Sequence, residues 1–236
     1  MTANEMRYGL LMGIDSVYQH GAPGYNDLQC SFMLNKAQRR VFNRLKPMFD
    51  ISETVKRTLS PVISRASLAE DQIDEIEDMT LIPHPNGVFY MLPGGLAELK
   101  EEYVYLSVEQ DEGPPDTVGP VIVLPITYDY YAKNHDNRYK QPHLELVWRM
   151  DYGLADDRYR VEIITGGEDI LDYRISYIRY PQDIVVNTEN PELSVDCEIL
   201  DRGFRDEVVS EAIKIAVAAL SGEGYNVASA ERASDG

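Results

Sequence analysis

Apolar residues recur at three- and four-residue steps after Asp27, and this spacing predicts an amphipathic helix that ends near Lys46. Pro47 stops this helix, because proline cannot supply the backbone N–H that the next turn needs. A second, shorter helix is predicted from Ser52, whose hydroxyl can cap it, to about Pro61. The apolar stripe of the first helix consists of Leu28, Phe32, Leu34, Ala37, Val41, Leu45 and Met48. Together the two segments predict an N-terminal helical hairpin.

The middle of the chain is rich in strand-like segments. Residues 158–165 alternate apolar and charged positions, which is typical of a half-buried antiparallel strand with Glu162 on its polar face. Residues 161–186 are interpreted as a hairpin of two strands that turn at Gly166 and Gly167 and end at Pro181. This hairpin either packs against the helices or is a core element without a role in assembly. A short helix capped by Thr127 is also predicted.

A last amphipathic helix is predicted over residues 204–220, with an apolar stripe that contains Phe204, Val208, Ala212, Ile215 and Ala219. The order of helices, strands and helix, without regular crossovers, predicts an α+β fold. It comprises an N-terminal helical hairpin, a central mainly antiparallel β-sheet and a C-terminal amphipathic helix.

Five segments follow from these patterns, and we expect the helices and strands to form one domain. The segments are an irregular arm (1–26), a helical part (27–66), a mainly antiparallel strand region (67–200), the C-terminal helix (201–222) and a polar tail (223–236).

The charge balance is strongly acidic for an otherwise ordinary globular composition. The 236 residues include 40 acidic and 22 basic side chains, which give a net charge of −18. Such a chain is a poor general binder of DNA or RNA, because nucleic acid binding requires neutralisation of phosphates. A local basic patch remains open at Arg39, Arg40, Arg44 and Lys46.

The two cysteines are too few for a disulfide framework and indicate a reducing compartment. Cys30 lies on the apolar side of the first helix and is expected to be a buried, inert thiol, whereas Cys197 lies in a loop-like segment more open to chemistry. The apolar run at residues 8–14 is too short to span a membrane. We expect a product of the cytoplasm that is neither secreted nor inserted in a membrane.

Signatures of catalysis, metal binding and cofactor binding are missing from the sequence. No histidine pair has the spacing of a helical zinc site, the two Gly-Gly pairs lack the remainder of a phosphate-binding loop, and the acidic run at residues 70–78 lacks the spacing of a calcium loop. We therefore predict no enzyme activity, no metal and no cofactor. One alternative stays open, a hydrolase that uses carboxylates close to two histidines. Its residues would be Asp129, Asp136, Asp151, His135 and His143.

Four segments in their order resemble the ring, or head-to-tail connector, proteins of crAss-like bacteriophages. They are residues 34–63, which begin Leu34-Asn35-x-Ala37-Gln38, then residues 137–151 (NRYKQPHLELVWRMD), residues 161–186, and residues 197–220 (from Cys197 through RGFRDEVVSEAIKIAVAAL). The resemblance covers roughly residues 28–225.

This resemblance implies a structural virion protein without catalytic residues. It would form a ring, a dodecamer, in the neck of the particle, join the portal protein to further neck or tail rings, and line part of the channel through which DNA leaves. No membrane contact is implied. The alternative is another tail or head-completion structural protein. The acidity then either lines the channel, where it would keep DNA from sticking, or faces solvent.

A ring closes through heterologous contacts, so each copy needs two different complementary surfaces. The apolar stripes of the amphipathic helices are wide enough to serve a second partner, and we place the contacts on them. The expected interface residues are Leu34, Ala37, Val41, Leu45, Phe204, Val208, Ala212 and Ile215.

Overall fold

The computed structural model describes residues 1–18, 24–68, 83–108, 115–155, 158–199 and 201–220. The chain divides into two compact units. Unit 1 comprises Met1–Val62 together with Tyr180–Gly236, and unit 2 comprises Ile63–Arg179. Within the described residues, the α+β prediction is confirmed, with N-terminal helices, a central sheet and a C-terminal helix. The expectation that all elements form one domain stays a prediction.

Unit 1 is built from helices whose ends follow local signals. The α-helices of this unit are α1 (Ala3–Val17), α2 (Asp27–Leu45), α3 (Glu53–Thr58) and α5 (Arg202–Leu220). Asn26 and Gln29 form a capping box at the start of α2, which ends just before Pro47 as predicted. The Ser52 hydroxyl accepts a hydrogen bond from the Val55 backbone N–H at 3.4 Å and so caps α3, also as predicted.

The prediction of an irregular arm over residues 1–26 is wrong for residues 3–17, which form α1. Thr2 and Glu5 form a capping box at its start. The two glycines of this segment, Gly9 and Gly13, do not break the helix but face α5. A Cβ atom at Gly13 would lie 2.1 Å from Ile213 Cδ1, so glycine allows the two helices to approach closely. The buried stripe of α1 consists of Ala3, Met6, Leu10 and Ile14.

Helix α1 runs parallel to α5 in unit 1. The Arg205 guanidinium near the start of α5 donates to the Met1 carbonyl, while the Tyr18 hydroxyl after α1 reaches the Val217 carbonyl. Helix α2 contacts both of these helices. Its first turn is tied to α1 and its later turns to α5, so the three helices enclose one apolar core.

Unit 2 is a seven-stranded sheet with the strand order β1-β7-β3-β4-β5-β6-β2. Its strands are β1 (Ile63–Leu68), β2 (Gly87–Met91), β3 (Leu96–Val108), β4 (Asp116–Ile126), β5 (Leu146–Ala155), β6 (Arg158–Ile164) and β7 (Asp169–Arg179). Every neighbouring pair is antiparallel except β4 and β5, which are parallel. The connection between these two contains α4 (Tyr128–Asn134), which Thr127 caps as predicted.

The predicted hairpin at residues 161–186 is wrong, because its two strands are not paired. Strand β6 pairs with β5 and β2, whereas β7 pairs with β1 and β3. The sheet is curled, so Val161 of β6 and Ile175 of β7 meet in one core cluster instead of along a hydrogen-bonded ladder. Gly166 and Gly167 do turn the chain between the strands, and Gly167 has a φ of 126°, which favours glycine. Pro181 is buried just after β7 ends.

The first strand of that segment, β6, contains a further error of prediction. Glu162 was predicted on the polar face of a half-buried strand, but it is fully buried. One face of β5 and β6 lies on the main core, and the other carries a second cluster around Trp148 and Met150, against which Tyr130 and Tyr131 of α4 pack. Because both faces of β6 are covered, the alternation of apolar and charged residues along the strand does not distinguish buried from exposed positions.

Candidate assembly surfaces

The interface residues predicted from the helix stripes lie mostly in the core of unit 1. All four of the predicted residues on α2 are buried, namely Leu34, Ala37, Val41 and Leu45. On α5, two are buried, Val208 and Ala212, and two are half-buried, Phe204 and Ile215. Since α1, α2 and α5 pack on one another, the buried residues are not accessible to another subunit while unit 1 keeps this fold. Contacts through Phe204 and Ile215 stay a prediction.

A different face of α2 is apolar and exposed. Leu28 is 79% and Phe32 is 68% exposed, and the two residues lie one turn apart on the same face. The same face continues through Lys36 and Arg39, which are also exposed. Leu28 and Phe32 belong to the apolar stripe predicted for this helix, but unlike Leu34, Ala37, Val41 and Leu45 they are exposed. Leu28 and Phe32 continue at four-residue steps to Lys36, so all three lie on one face of the helix. The charged residue on that face was the signal that could have distinguished these two residues from the buried ones.

The first helix presents a comparable pair. Tyr8 is 66% and Met12 is 54% exposed, one turn apart on α1, opposite the stripe that packs in the core. Exposed aromatic and methionine side chains are enriched in protein–protein interfaces. Unit 1 therefore displays apolar side chains that its own core does not use.

The basic group suggested as a local DNA-binding patch is neutralised within unit 1. Arg39 pairs with Asp183 at 3.1 Å, Arg40 with Glu211 at 3.0 Å, and Arg44 contacts Glu207 at 2.5 Å. Lys46 has an interaction of its own as well. The three arginines bind carboxylates of the chain itself, so they do not form a free patch for phosphates. Burial raises the pKa of Glu211, but its hydrogen bonds to Arg40 and Lys214 outweigh this and hold the pKa below its usual value.

The residues that begin the first resembling segment have a clear structural role. The Asn35 side chain bonds both backbone groups of Ile184, with its Nδ2 atom donating at 2.9 Å and its Oδ1 atom accepting at 2.6 Å. Gln38 donates to the Gln182 carbonyl at 2.7 Å. Two amide side chains of α2 thus take the place of a neighbouring strand for the extended segment after β7. These hydrogen bonds attach residues 182–184 to α2. The acidic stretch from residue 183 to residue 201 begins at this attachment.

A largely buried ion pair lies inside unit 2. The Arg149 guanidinium contacts both carboxylate oxygens of Glu102, at 2.8 and 2.7 Å, and the Tyr173 hydroxyl donates to the same carboxylate at 2.9 Å. Burial lowers the pKa of Arg149, but the charge and hydrogen bond of Glu102 outweigh it and raise that pKa. Burial, followed by the Glu102 charge, raises the pKa of Tyr173. The group is fully paired, as expected of buried charges, and serves the sheet.

A second buried carboxylate, Glu162, is also fully bonded. It accepts hydrogen bonds from the His84 backbone N–H at 2.5 Å and from the Tyr152 hydroxyl at 2.7 Å, and its other close contact is His84 Nδ1 at 2.8 Å. Burial, then the hydrogen bond to Glu162, raises the pKa of Tyr152. A Cβ atom at Gly87 would lie 2.1 Å from Glu162 Oε1, so this glycine makes room for the carboxylate. The cluster ties the turn before β2 to β5 and β6.

The residues of the hydrolase alternative are engaged in separate contacts. His135 contacts its neighbour Asp136 at 3.2 Å on the surface, the His143 ring accepts a hydrogen bond from the Glu145 backbone, and Asp151 pairs with Arg149. Asp129 is an exposed residue in the first turn of α4. The most organised histidine is His84, which was not in that set. It contacts the buried carboxylate of Glu162, and its ring centroid lies 4.1 Å from that of Tyr131, with the two rings tilted by 59°.

The loop after α4 carries an exposed cationic tip, which we define as residues 137–141. Tyr139 is 94% exposed and stands between Arg138 and Lys140, both exposed. The tip is part of the second resembling segment. Gly166 allows the chain just after the tip to come close, because a Cβ atom at this position would lie 2.9 Å from the Pro142 carbonyl oxygen.

Both cysteines are buried, so the expectation that Cys197 is more open to chemistry is wrong. Burial raises the pKa of each thiol. Among the residues that the structure describes, no group of His, Cys, Asp or Glu is arranged to hold a metal ion, and the acidic run at residues 70–78 lies outside them. None of the described helices combines the length and apolar character needed to cross a membrane.

The comparisons with known proteins agree across the length of the chain. The family model described as phage tail ring protein 3/4 matches residues 1–224, a span that reaches into both units. The chain is also 24% identical over 240 residues to a protein named ring protein 4/5 of Bacteroides phage crAss001. That similarity covers 94% of this chain and 95% of the relative.

Proposed function

The chain belongs to the phage tail ring protein 3/4 family of crAss-like phages, and we propose that it forms an oligomeric ring in the neck of the particle. It is a structural component of a phage virion. In our proposal the ring joins the portal protein to further neck or tail rings, is a dodecamer, and has no enzymatic role. The chain would be made in the host cytoplasm. The observation that carries the proposal is the family match over residues 1–224.

The surface of unit 1 supports a role in self-association. Leu28 and Phe32 leave a large apolar area in water, although the core of the unit is already filled by other side chains. Burial of such area against a neighbour is favourable by roughly 25 cal/mol per Å². We therefore assign the contact between neighbouring copies to this face of α2 instead of to the buried stripe.

The charge supports passage of DNA through the ring. A dodecamer of chains with a net charge of −18 carries about −216. Three arginines of α2, Arg39, Arg40 and Arg44, are paired with acids of the chain, so they offset little of this charge toward DNA. An acidic wall repels phosphates and lets the genome pass without adhesion. We propose that part of this acidity lines the channel.

Electron microscopy of the purified full-length chain, alone and mixed with its portal protein, tests the proposal. We expect closed rings with twelve-fold symmetry that bind the portal. Replacing Phe32 with Glu should abolish the rings, because it places a charge in the subunit contact. Leu171→Glu is the matched control: Leu171 is 54% exposed in unit 2, and its replacement should leave the rings intact. A chain that stays monomeric at all concentrations and does not bind the portal would contradict the proposal.

A further inference from the structure

We propose that the cationic tip of one copy docks on an acidic loop of the next copy in the ring. The acidic loop comprises residues 187–194 of unit 1, and the contact would place Arg138 and Lys140 against Glu189 and Glu192. This inference rests on the proposed ring function and deepens it, because it names a pair of different, complementary surfaces of the kind that a closed ring needs.

The tip is pre-organised for binding. The Asn137 carbonyl accepts hydrogen bonds from the backbone N–H groups of Lys140 at 2.8 Å and Gln141 at 2.9 Å. The Asn137 side chain accepts a third from the Tyr139 backbone at 3.1 Å. A rigid loop loses little conformational entropy when it docks. Tyrosine and arginine are also the side chains over-represented at binding hot spots.

The two cations of the tip have no charged partner among the residues that the structure describes. Within the described residues, neither Arg138 nor Lys140 forms an ion pair, whereas Arg39, Arg40 and Arg44 are all paired. In a chain with a net charge of −18, the tip thus places two exposed cations beside an exposed tyrosine. The tip is therefore available to bind a group outside the chain.

The acidic loop has the complementary properties. Glu189 and Glu192 are exposed and unpaired in the described part of the chain, and Leu193 beside them is 62% exposed. The stretch 180–201 contains six carboxylates and no lysine or arginine. Two glutamates next to an apolar side chain match two cations next to a tyrosine.

The loop is also held firmly. The Asn187 side chain accepts a hydrogen bond from the Asn190 backbone at 2.8 Å, and the Leu193 backbone N–H donates to the Asn190 carbonyl at 3.0 Å. Thr188 donates from its backbone to Asp27 at 2.7 Å, which ties the loop to the start of α2. Both surfaces thus keep their shape without a partner, as expected of a pre-formed contact.

A second copy fits the tip better than DNA does. Two cations neutralise few phosphates, and the remainder of an acidic chain repels them. A copy of the same chain instead offers a carboxylate for each cation. Because the tip and the acidic loop are different surfaces, the contact is head-to-tail and can close a ring.

Charge reversal in the full-length chain tests this contact. The tip variant is R138E/K140E, and the loop variant is E189K/E192K. Each variant alone would face like charges across every contact, and we expect self-association weaker by at least about 100-fold, measured by sedimentation velocity and electron microscopy. An equimolar mixture of the two variants should form rings again, because the acidic tip meets the basic loop and the basic tip meets the acidic loop. Rescue by mixing also excludes misfolding as the cause of the loss.

The matched control is R57E/R202E, which changes the net charge by the same amount as the tip variant. Its two positions are exposed, lie in unit 1 and are outside the acidic loop. It should assemble like the wild type. The inference is overturned if either variant alone still forms rings, if the mixture fails to form them, or if the tip variant assembles normally but loses binding to duplex DNA. The proposed function is judged separately, on whether the wild-type chain forms rings.

Discussion

Tyr90 of β2 packs edge-on against Tyr173 of β7, with ring centroids 5.1 Å apart and an interplanar angle of 68°. The two strands lie near opposite ends of the seven-strand order, so this contact spans the inside of the curled sheet. Both residues belong to the main core cluster of unit 2. The curl is therefore held by side-chain packing between strands that share no hydrogen-bonded ladder.

Replacing Tyr90 with Ala should destabilise unit 2 by about 3–5 kcal/mol, because a buried aromatic ring leaves a cavity and loses its partner ring. Trp148 is the single tryptophan and is buried in unit 2, so its fluorescence follows unfolding of this unit in urea. Tyr139→Ala is the control and should change stability by less than about 0.5 kcal/mol. Equal effects of the two changes would show that the ring contact does not hold the sheet.

The Glu102–Arg149 pair predicts strong coupling between two positions. Arg149→Met should cost about 2–4 kcal/mol, because it leaves the largely buried Glu102 carboxylate without its cation. The double variant R149M/E102Q should be more stable than R149M, since the unpaired charge is then removed. Urea unfolding followed by Trp148 fluorescence measures both. A double variant that is less stable than R149M would contradict the assignment.

Local signals allowed much of the fold to be predicted from the sequence. Short stretches of residues are enough to predict the helix caps at Ser52 and Thr127, the end of α2 before Pro47 and the helical period of α5. The α+β class followed from their order. Strand pairing could not be predicted, because the two strands around Gly166 are neighbours in sequence but are separated in the sheet by β3, β4 and β5. A glycine turn shows that the chain changes direction without specifying which strands pair.

The burial errors have one physical cause, since a single helix or strand does not reveal what covers it. Glu162 is buried because α4 packs on the second face of its sheet. Leu34 and Ala37 were expected to contact a neighbouring subunit, but α5 of the same chain lies beside α2. Gly13 was placed in an irregular arm because its role depends on Ile213, which is distant in sequence. Each outcome depends on a contact between remote residues.

The two thiols should be protected in the folded chain. Cys30 and Cys197 are buried, and burial raises the pKa of both, so little reactive thiolate is accessible. We expect modification by a disulfide reagent to be slower by more than about 100-fold in the native chain than in the denatured one, because each thiol must first be exposed by an opening of the structure. The reagent should titrate two thiols in guanidinium. Rapid reaction of either thiol under native conditions would contradict this burial.

Asp27 should make unit 1 sensitive to acid. Its carboxylate accepts hydrogen bonds from the Thr188 hydroxyl at 2.6 Å and backbone at 2.7 Å and pairs with Arg7, and these contacts hold its pKa below the usual value. A carboxyl whose pKa is lower in the folded state contributes stability above its unfolded pKa, about 3.9, and loses it as the pH falls through the folded pKa. Asp27→Asn should reduce stability at pH 7 and flatten its decline below about pH 4.

Helical circular dichroism during urea unfolding, repeated across this pH range, measures the effect on unit 1. Asp129→Asn is the control, because Asp129 also lies in the first turn of a helix but is exposed. It should leave the acid profile unchanged. An Asp27→Asn variant whose stability declines in acid as steeply as that of the wild type would refute the role of this carboxylate.

The close parallel packing of α1 and α5 predicts different costs at two glycines of the same helix. A Cβ atom at Gly13 would lie 2.1 Å from Ile213 Cδ1, whereas one at Gly9 would lie 3.3 Å from Val209 Cγ1. Gly13→Ala should destabilise unit 1 by about 1–3 kcal/mol through overpacking, partly offset by the higher helix propensity of alanine. Gly9→Ala is the matched control and should be close to neutral. Adding Ile213→Val removes the clashing methyl, so G13A/I213V should recover part of the loss relative to I213V alone. Circular dichroism during urea unfolding measures the stability of all four variants. Equal costs at the two glycines would show that α1 does not pack on α5 as described.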